Sequence, residues 1–151
     1  MGDGDSFDGR LDHLLDTDKD FSDLAFALSL LGHNFDRVEM HGFLGGRRDH
    51  ELLNLGEVYH FLSRRVHPTA AVLDHAIEAL SKGDWHLEVH GIFSLVAFEV
   101  TTVSLSGECK YRIAGGTQID PVSSFGLSNE GYGTIRIETS SPLFLFRNSS
   151  E

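Results

Sequence analysis

Three alternate residues in the segment 85–90 could bind a metal ion, because His86, Glu88 and His90 carry imidazole and carboxylate groups. If this segment is a β-strand, the three side chains share one face, and neighbouring members lie roughly 7 Å apart, close enough for two of them to bind one ion. His86 and His90 lie roughly 13 Å apart along the strand, so a further ligand must come from another strand. The sequence therefore offers one metal hypothesis, a divalent transition metal on His41, His86, Glu88 and His90, beside the simpler interpretation as a polar surface.

A second cation motif, Asp-Thr-Asp-Lys-Asp at residues 16–20, has the alternating carboxylates that begin an EF-hand calcium loop. The motif then fails, because Phe21 stands where the loop needs glycine and Ala27 stands where it needs a bidentate glutamate. We therefore interpret the segment as a solvated acidic linker that caps a helix, with Asp20 as the N-cap.

Motifs for nucleophilic catalysis or nucleotide binding are not found. The chain has no G-x-S-x-G elbow, and Gly115-Gly116 is surrounded by neither a G-x-G-x-x-G nor a P-loop pattern. Cys109 precedes Lys110 in a predicted strand, where a small packed residue or a surface thiol is expected. The sequence thus predicts no catalytic residue, no nucleotide site and no cofactor, apart from the metal alternative above.

Charged and aromatic residues recur on the predicted outward faces of the strands. The predicted strands 35–44 and 134–139 each carry acidic and basic side chains on the outward face, and the strand 85–90 carries histidines and a glutamate there. Phe43 could add an aromatic anchor of the kind found in interfaces. These nine residues are predicted to contact a partner, with an ordinary solvated sheet face as the competing interpretation: Arg37, Glu39, His41, Phe43, His86, Glu88, His90, Arg136 and Glu138.

The elements that must position these residues follow from hydrophobic periodicity. Helical spacing predicts helices over 20–32, 52–66 and 68–82, with a strand over 35–44 between the first two. Period-two patterns predict strands over 85–90, 92–105, 110–114, 134–139 and 143–146. We therefore expect an α+β fold in which N-terminal helices pack on one face of a mostly antiparallel sheet of about five strands. Residues 1–20 form an acidic, partly flexible segment, and residues 21–151 form a single domain.

Composition limits the classes of function. The 151 residues include 23 acidic and 12 basic side chains, giving a net charge of −11, which argues against binding to nucleic acid or to anionic membranes. Cys109 is the single cysteine, and no apolar run reaches the roughly 20 residues of a membrane span, so a cytoplasmic location is expected.

The charge and the missing motifs favour a non-enzymatic protein that neutralises a basic partner such as a toxin or nuclease. Small immunity proteins, antitoxins and inhibitors have a similar profile. Two alternatives stay open: a small metal-dependent enzyme or metal-binding domain, and an assembly subunit that pairs through edge strands carrying Phe144 and Phe146.

Overall fold

The computed structural model describes residues 16, 18 and 20–148. The elements are α1 (Asp23–Ser29), β1 (Arg37–Met40), α2 (Arg48–Ser63), β2 (Ala70–Leu73), β3 (Ile77–Leu80), β4 (Gly83–Ala97), β5 (Thr101–Cys109), β6 (Ile113–Ile119), β7 (Asn129–Thr139) and β8 (Leu143–Arg147), with a short 3-10 turn at Ser124–Gly126. Most of the acidic segment predicted over residues 1–20 lies outside the described residues. No helix within the described part is long and apolar enough to cross a membrane.

All eight strands belong to one mixed sheet, in the order β1-β2-β3-β8-β4-β7-β5-β6. β1 and β2 are parallel, and the other neighbouring strands are antiparallel. The prediction of about five strands covered by several helices is therefore wrong. Two α-helices are present in the described residues, and strands dominate the fold.

The helix predicted over 68–82 is instead a hairpin of β2 and β3. Leu73, Ile77 and Leu80 fit a helical spacing, but every residue of both strands is buried. A strand that is buried on both faces has no polar alternation, so its pattern resembles that of a buried helix. Within β3, Glu78 accepts hydrogen bonds from Arg37 of β1 and Arg147 of β8.

The first helix begins later than predicted. Ser22, not Asp20, is its N-cap, and the Ser22 hydroxyl accepts a hydrogen bond from the backbone N–H of Ala25 at 3.0 Å. This helix packs with α2 on one face of the β1–β2–β3–β8 half of the sheet. The core that they bury includes Leu28, Leu62, Leu73 and Phe144.

The opposite face of that half is buried as well, since Leu80 and Leu143 are fully inaccessible. They belong to one core with residues of β5, β6 and β7, such as Val103, Ile119 and Ile137. Strands β5, β6 and β7 therefore fold over the face of β2, β3 and β8 that is opposite to the helices. β4 makes this possible because its first eleven residues pair with β7 and its last five pair with β8.

The C-terminal strand has a different role from the one expected. β8 lies between β3 and β4, so Phe144 and Phe146 do not lie on an edge strand. The edges of the sheet are β1 and β6. The predicted assembly through the terminal strand is therefore excluded, because both hydrogen-bonding edges of β8 are already used within the sheet.

Candidate functional site

A glycine-rich loop lies where the two parallel strands end. β1 leads through residues 41–47 into α2, which returns the chain to β2, so that these elements form a β–α–β unit. Met40 and Leu73, the last residues of the two strands, are paired. In sheets of this kind ligands bind beyond the carboxyl ends of the parallel strands. We name the loop 41–47, the first turn of α2 and Asp74 the carboxyl-end site.

The glycines of the loop leave its backbone open to solvent. Gly42 and Gly45 have φ angles of +82° and +87°, a region that side-chain-bearing residues rarely adopt. A Cβ atom placed on Gly42, Gly45 or Gly46 would find no atom within 4 Å. Space for a ligand beside the backbone is therefore available at three positions of the loop.

One carboxylate holds the start of the loop. Asp74 Oδ1 accepts a hydrogen bond from the N–H of Gly42 at 2.6 Å, and Oδ2 accepts from the N–H groups of Phe43 and Leu44 at 3.0 and 2.8 Å. The bond from Gly42, followed by those from Leu44 and Phe43 and by the nearby His41, lowers the pKa of Asp74. The dipoles of three backbone N–H groups therefore stabilise the negative charge of Asp74.

Side chains of α2 hold the rest of the loop. The N–H of Gly45 donates to Glu51 Oε1, and Asn54 Nδ2 donates to the carbonyl oxygen of Phe43 at 3.0 Å. The loop is thus fixed from both the sheet and the helix.

An exposed ion pair stands at the start of the helix. Arg47 donates to both carboxylate oxygens of Asp49, at 3.2 and 2.5 Å, and this bond lowers the pKa of Asp49 and raises that of Arg47. Arg47 is also the N-cap of the 16-residue helix, and its side chain makes no capping hydrogen bond. A helix start that follows a glycine-rich loop and carries arginine is a favourable place for a phosphate group.

Five of the predicted partner-binding residues lie together, on strands that do not belong to this site. His86, Glu88 and His90 of β4 and Arg136 and Glu138 of β7 share the exposed face of an antiparallel pair. With Asp84 and Thr134 they form what we call the outer face.

Hydrogen bonds within the outer face connect its own side chains. Arg136 donates to Asp84 at 2.8 and 2.5 Å, and His90 Nε2 lies 3.0 Å from Glu88 Oε1. Glu88 also accepts a bond from the Thr134 hydroxyl at 3.0 Å.

The other four predicted residues belong to the β1 region. Arg37 donates to Glu39 at 3.1 Å and to Glu78 at 3.3 Å, on the sheet face opposite to the one that carries His86 and Glu88. His41 lies in the loop with its ring 5.0 Å from that of His75, and Phe43 binds Asp74 through its backbone. The nine residues therefore do not form one surface, and their contact with a partner stays a prediction.

The ligands of the predicted metal site do not converge. Glu88 and His90 are in contact, but His86 lies opposite Arg136 and His41 lies in the loop after β1. Among the described residues, no group of three or more histidine, cysteine, aspartate or glutamate side chains could hold a metal ion. Cys109 is half-buried, and its burial raises the pKa of the thiol, which disfavours a reactive thiolate.

Sequence reasoning missed the carboxyl-end site. Gly45-Gly46 directly follows the predicted strand 35–44, and Asp74 lies in the segment 68–82 for which the pattern predicts a helix. The available signal was a glycine pair between a predicted strand and a predicted helix, followed by Arg47, Asp49 and Glu51.

No protein-family model and no curated protein matches the sequence. Solved structures do match. Thiamine pyrophosphokinase from Bacillus subtilis superimposes with a TM-score of 0.71 at 22% identity, covering 88% of this chain and 65% of that one. A Lactobacillus plantarum protein gives 0.68 at 19% identity, covering 91% and 71%, and thiamin pyrophosphokinase from Geobacillus thermodenitrificans gives 0.66 at 21%, covering 88% and 64%. This chain has the thiamine pyrophosphokinase fold.

The fold corrects the function inferred from composition. The interpretation as a non-enzymatic immunity protein, antitoxin or inhibitor is wrong, because the fold is one that this chain shares with structures named as thiamine pyrophosphokinases. That interpretation depended on the absence of known motifs, and the loop 41–47 of this chain matches neither the G-x-G-x-x-G nor the P-loop pattern. The chain spans 65% of the length of the Bacillus subtilis structure.

Proposed function

We propose that this chain works as an enzyme, or as part of one, that transfers a diphosphoryl group from a nucleoside triphosphate such as ATP to the hydroxyl group of thiamine. The observation that carries the proposal is the glycine-rich loop at the carboxyl ends of β1 and β2, in a fold shared with thiamine pyrophosphokinases. The reaction is the one that the name of those enzymes describes.

The transfer requires stabilisation of negative charge. The hydroxyl oxygen attacks the β-phosphorus, the bond from that phosphorus to the oxygen bridging to the α-phosphate breaks, and a nucleoside monophosphate leaves. The hydroxyl proton passes to a base or to solvent. Charge spreads over the phosphoryl oxygens during this step, so fixed backbone N–H groups and a guanidinium group are the useful parts. The N–H groups that Asp74 and Glu51 do not take up, from Gly46 into the first turn of α2, supply the backbone donors, and Arg47 supplies the guanidinium group.

A magnesium ion fits one acidic residue of the carboxyl-end site, because the other two carboxylates bind backbone N–H groups of the loop. Mg²⁺ is usually bound by one or two carboxylates together with substrate phosphates and water. Asp49, in the first turn of α2, is the exposed carboxylate that would hold the ion, with Arg47 released from Asp49 to the phosphate, whereas Glu51 is taken up by the N–H of Gly45. When bound, the ion would neutralise phosphate charge that an acidic protein otherwise repels.

Incubation with thiamine, Mg²⁺ and ATP tests the proposal. Chromatography should show thiamine diphosphate together with AMP; ADP would instead indicate transfer of a single phosphoryl group. Calorimetric titration with Mg–ATP tests the site even if residues beyond this chain are needed for transfer. A chain that neither forms thiamine diphosphate nor binds Mg–ATP contradicts the proposal.

Two glycines provide a matched pair of variants. Gly45 and Gly116 have similar φ angles, +87° and +82°, and neither has an atom near its Cβ position. Alanine therefore strains the backbone alike at both, but only Gly45→Ala places a methyl group in the carboxyl-end site. We expect Gly45→Ala to weaken Mg–ATP binding and Gly116→Ala to leave it unchanged. Equal losses in both variants would mean that the loop is not the ligand site.

A further inference from the structure

The contact between Asp74 and the loop joins two parts of the chain that lie far apart in sequence. Three consecutive backbone N–H groups, those of residues 42–44, converge on one side chain thirty or more positions away. The N–H of Asp74 in turn donates to the carbonyl oxygen of Met40, the last residue of β1, at 2.9 Å. Asp74 therefore ties the β2–β3 turn to both the end of β1 and the loop after it.

The backbone of this turn is strained. Asp74 and His75 have φ angles of +46° and +58°, and non-glycine residues adopt this region rarely. Leu73 pairs with Ile77, and the N–H of Ala76 donates to the carbonyl oxygen of Leu73 at 2.9 Å, which closes a β-turn around Asp74 and His75. A turn with positive φ at both central residues is of type I′, which favours asparagine or glycine there. A strained turn persists when surrounding contacts hold it, and such turns cluster at ligand sites. Here the contacts that hold it are those to the loop.

Resting on the proposed function, we propose that Asp74 is a positioning residue for diphosphate binding. It takes up the N–H groups of residues 42–44, so that the loop continues in one conformation to Gly46, Arg47 and the start of α2. The groups left to bind the diphosphate are then those from Gly46 onward. Asp74 does not touch the ligand in this arrangement.

The same geometry has a competing explanation with the opposite consequence. Consecutive N–H groups that converge on a carboxylate form an anion site. If a phosphate group normally occupied it, Asp74 would be a competitor, and its removal would strengthen binding. Positioning by Asp74 requires that removal weaken binding.

Calorimetric titration of the full chain with magnesium pyrophosphate distinguishes the two. Asp74→Asn keeps a residue that tolerates positive φ and retains one acceptor oxygen, so it tests the contact more than the turn. Asp74→Ala removes both acceptors. We expect Asp74→Ala to weaken binding at least about tenfold, equivalent to about 1.4 kcal/mol, and Asp74→Asn to lie between it and the wild type.

Hydrogen exchange supplies the readout that general destabilisation would not produce. The amides of residues 42–44 should exchange faster in Asp74→Ala, while those of β7 keep their protection. Ser128→Ala alters an exposed residue with a similarly positive φ, +58°, outside the carboxyl-end site, and it should leave both loop exchange and affinity unchanged. Unchanged or tighter pyrophosphate binding by Asp74→Ala would overturn the inference, whereas a wild-type chain without pyrophosphate affinity would contradict the proposed function itself.

Discussion

The carboxyl-end site and the outer face contain similar residue types but use them differently. On the outer face, side chains pair with side chains: Arg136 with Asp84, and His90 with Glu88. At the carboxyl-end site, the carboxylates of Asp74 and Glu51 bind backbone N–H groups of the loop. The contacts of the outer face therefore join side chains to each other. At the carboxyl-end site one pair, Arg47 with Asp49, does the same, but two further carboxylates fix the backbone beside open space. The groups that the carboxylates bind, rather than the number of carboxylates, distinguish the solvated outer face from the proposed ligand site.

The largest expected difference between the two regions concerns Arg47 and Arg136, each of which binds an exposed aspartate. Removing a group that stabilises developing charge typically costs about 100-fold in rate, so Arg47→Ala should lower thiamine diphosphate formation by about that factor. Arg136→Ala should change it less than about twofold, because it removes only a surface contact. Initial rates for both variants, with circular dichroism to verify folding, test this; equal losses would break the comparison.

Glu78 provides the largest expected effect on stability. It is 7% exposed and accepts hydrogen bonds from Arg37 at 3.3 Å and Arg147 at 2.8 Å. Removing one member of a buried ion pair leaves the others unpaired, which costs several kcal/mol when all are buried. Because both guanidinium groups are partly exposed, Glu78→Ala should lower the free energy of unfolding by about 2 kcal/mol. Urea denaturation measures this loss of stability. A loss within error of zero would show that hydration of the two arginines replaces their hydrogen bonds to Glu78.

Parts of the fold could be predicted because local patterns reflect one-sided burial. Residues 85–90, 134–139 and 143–146 lie in strands as the period-two pattern indicated, and residues 52–63 of the predicted helix lie in α2. The pattern failed in β2 and β3, where burial on both faces removes the alternation. The order of the strands could not be predicted from local patterns either, because pairings such as β4 with β8 join segments about 50 residues apart.

The carboxyl-end site could be predicted only in part, for a related reason. The glycine pair is visible in the sequence, but its significance depends on Asp74, which is 30 residues away from Leu44. The outer face followed from strand alternation alone, because neighbouring same-face residues of one strand are close in sequence. Sequence patterns therefore revealed the surface that is locally encoded and missed the site that tertiary structure assembles.

Acid titration should show that Asp74 contributes to stability only while ionised. Its pKa in the folded protein lies below the ordinary value of 3.8, mainly because of the hydrogen bond from Gly42. Its stabilisation is therefore fully present above pH 3.8 and is lost as the pH falls through the folded-state pKa. At pH 7 we expect the free energy of unfolding of the wild type to exceed that of Asp74→Asn by about 1 kcal/mol. This difference should narrow below about pH 4. Urea midpoints at several pH values measure this gap, and a gap that widens on acidification would contradict it.

The smallest expected effect belongs to Asp84. Its pKa is also lowered, in this case mainly by the hydrogen bond from Arg136, and both side chains are about half exposed. Water and salt compete for such a pair, so Asp84→Asn should shift the melting temperature by no more than about 2 °C, and the shift should disappear in about 1 M salt. The pKa values of both aspartates are lowered, but for different reasons. At Asp74 the lowered pKa reflects hydrogen bonds that hold the loop, and at Asp84 it reflects a surface contact that salt screens. If Asp84→Asn lowered the melting temperature as much as Asp74→Asn does, and if salt did not change this effect, the distinction between the two regions would be lost.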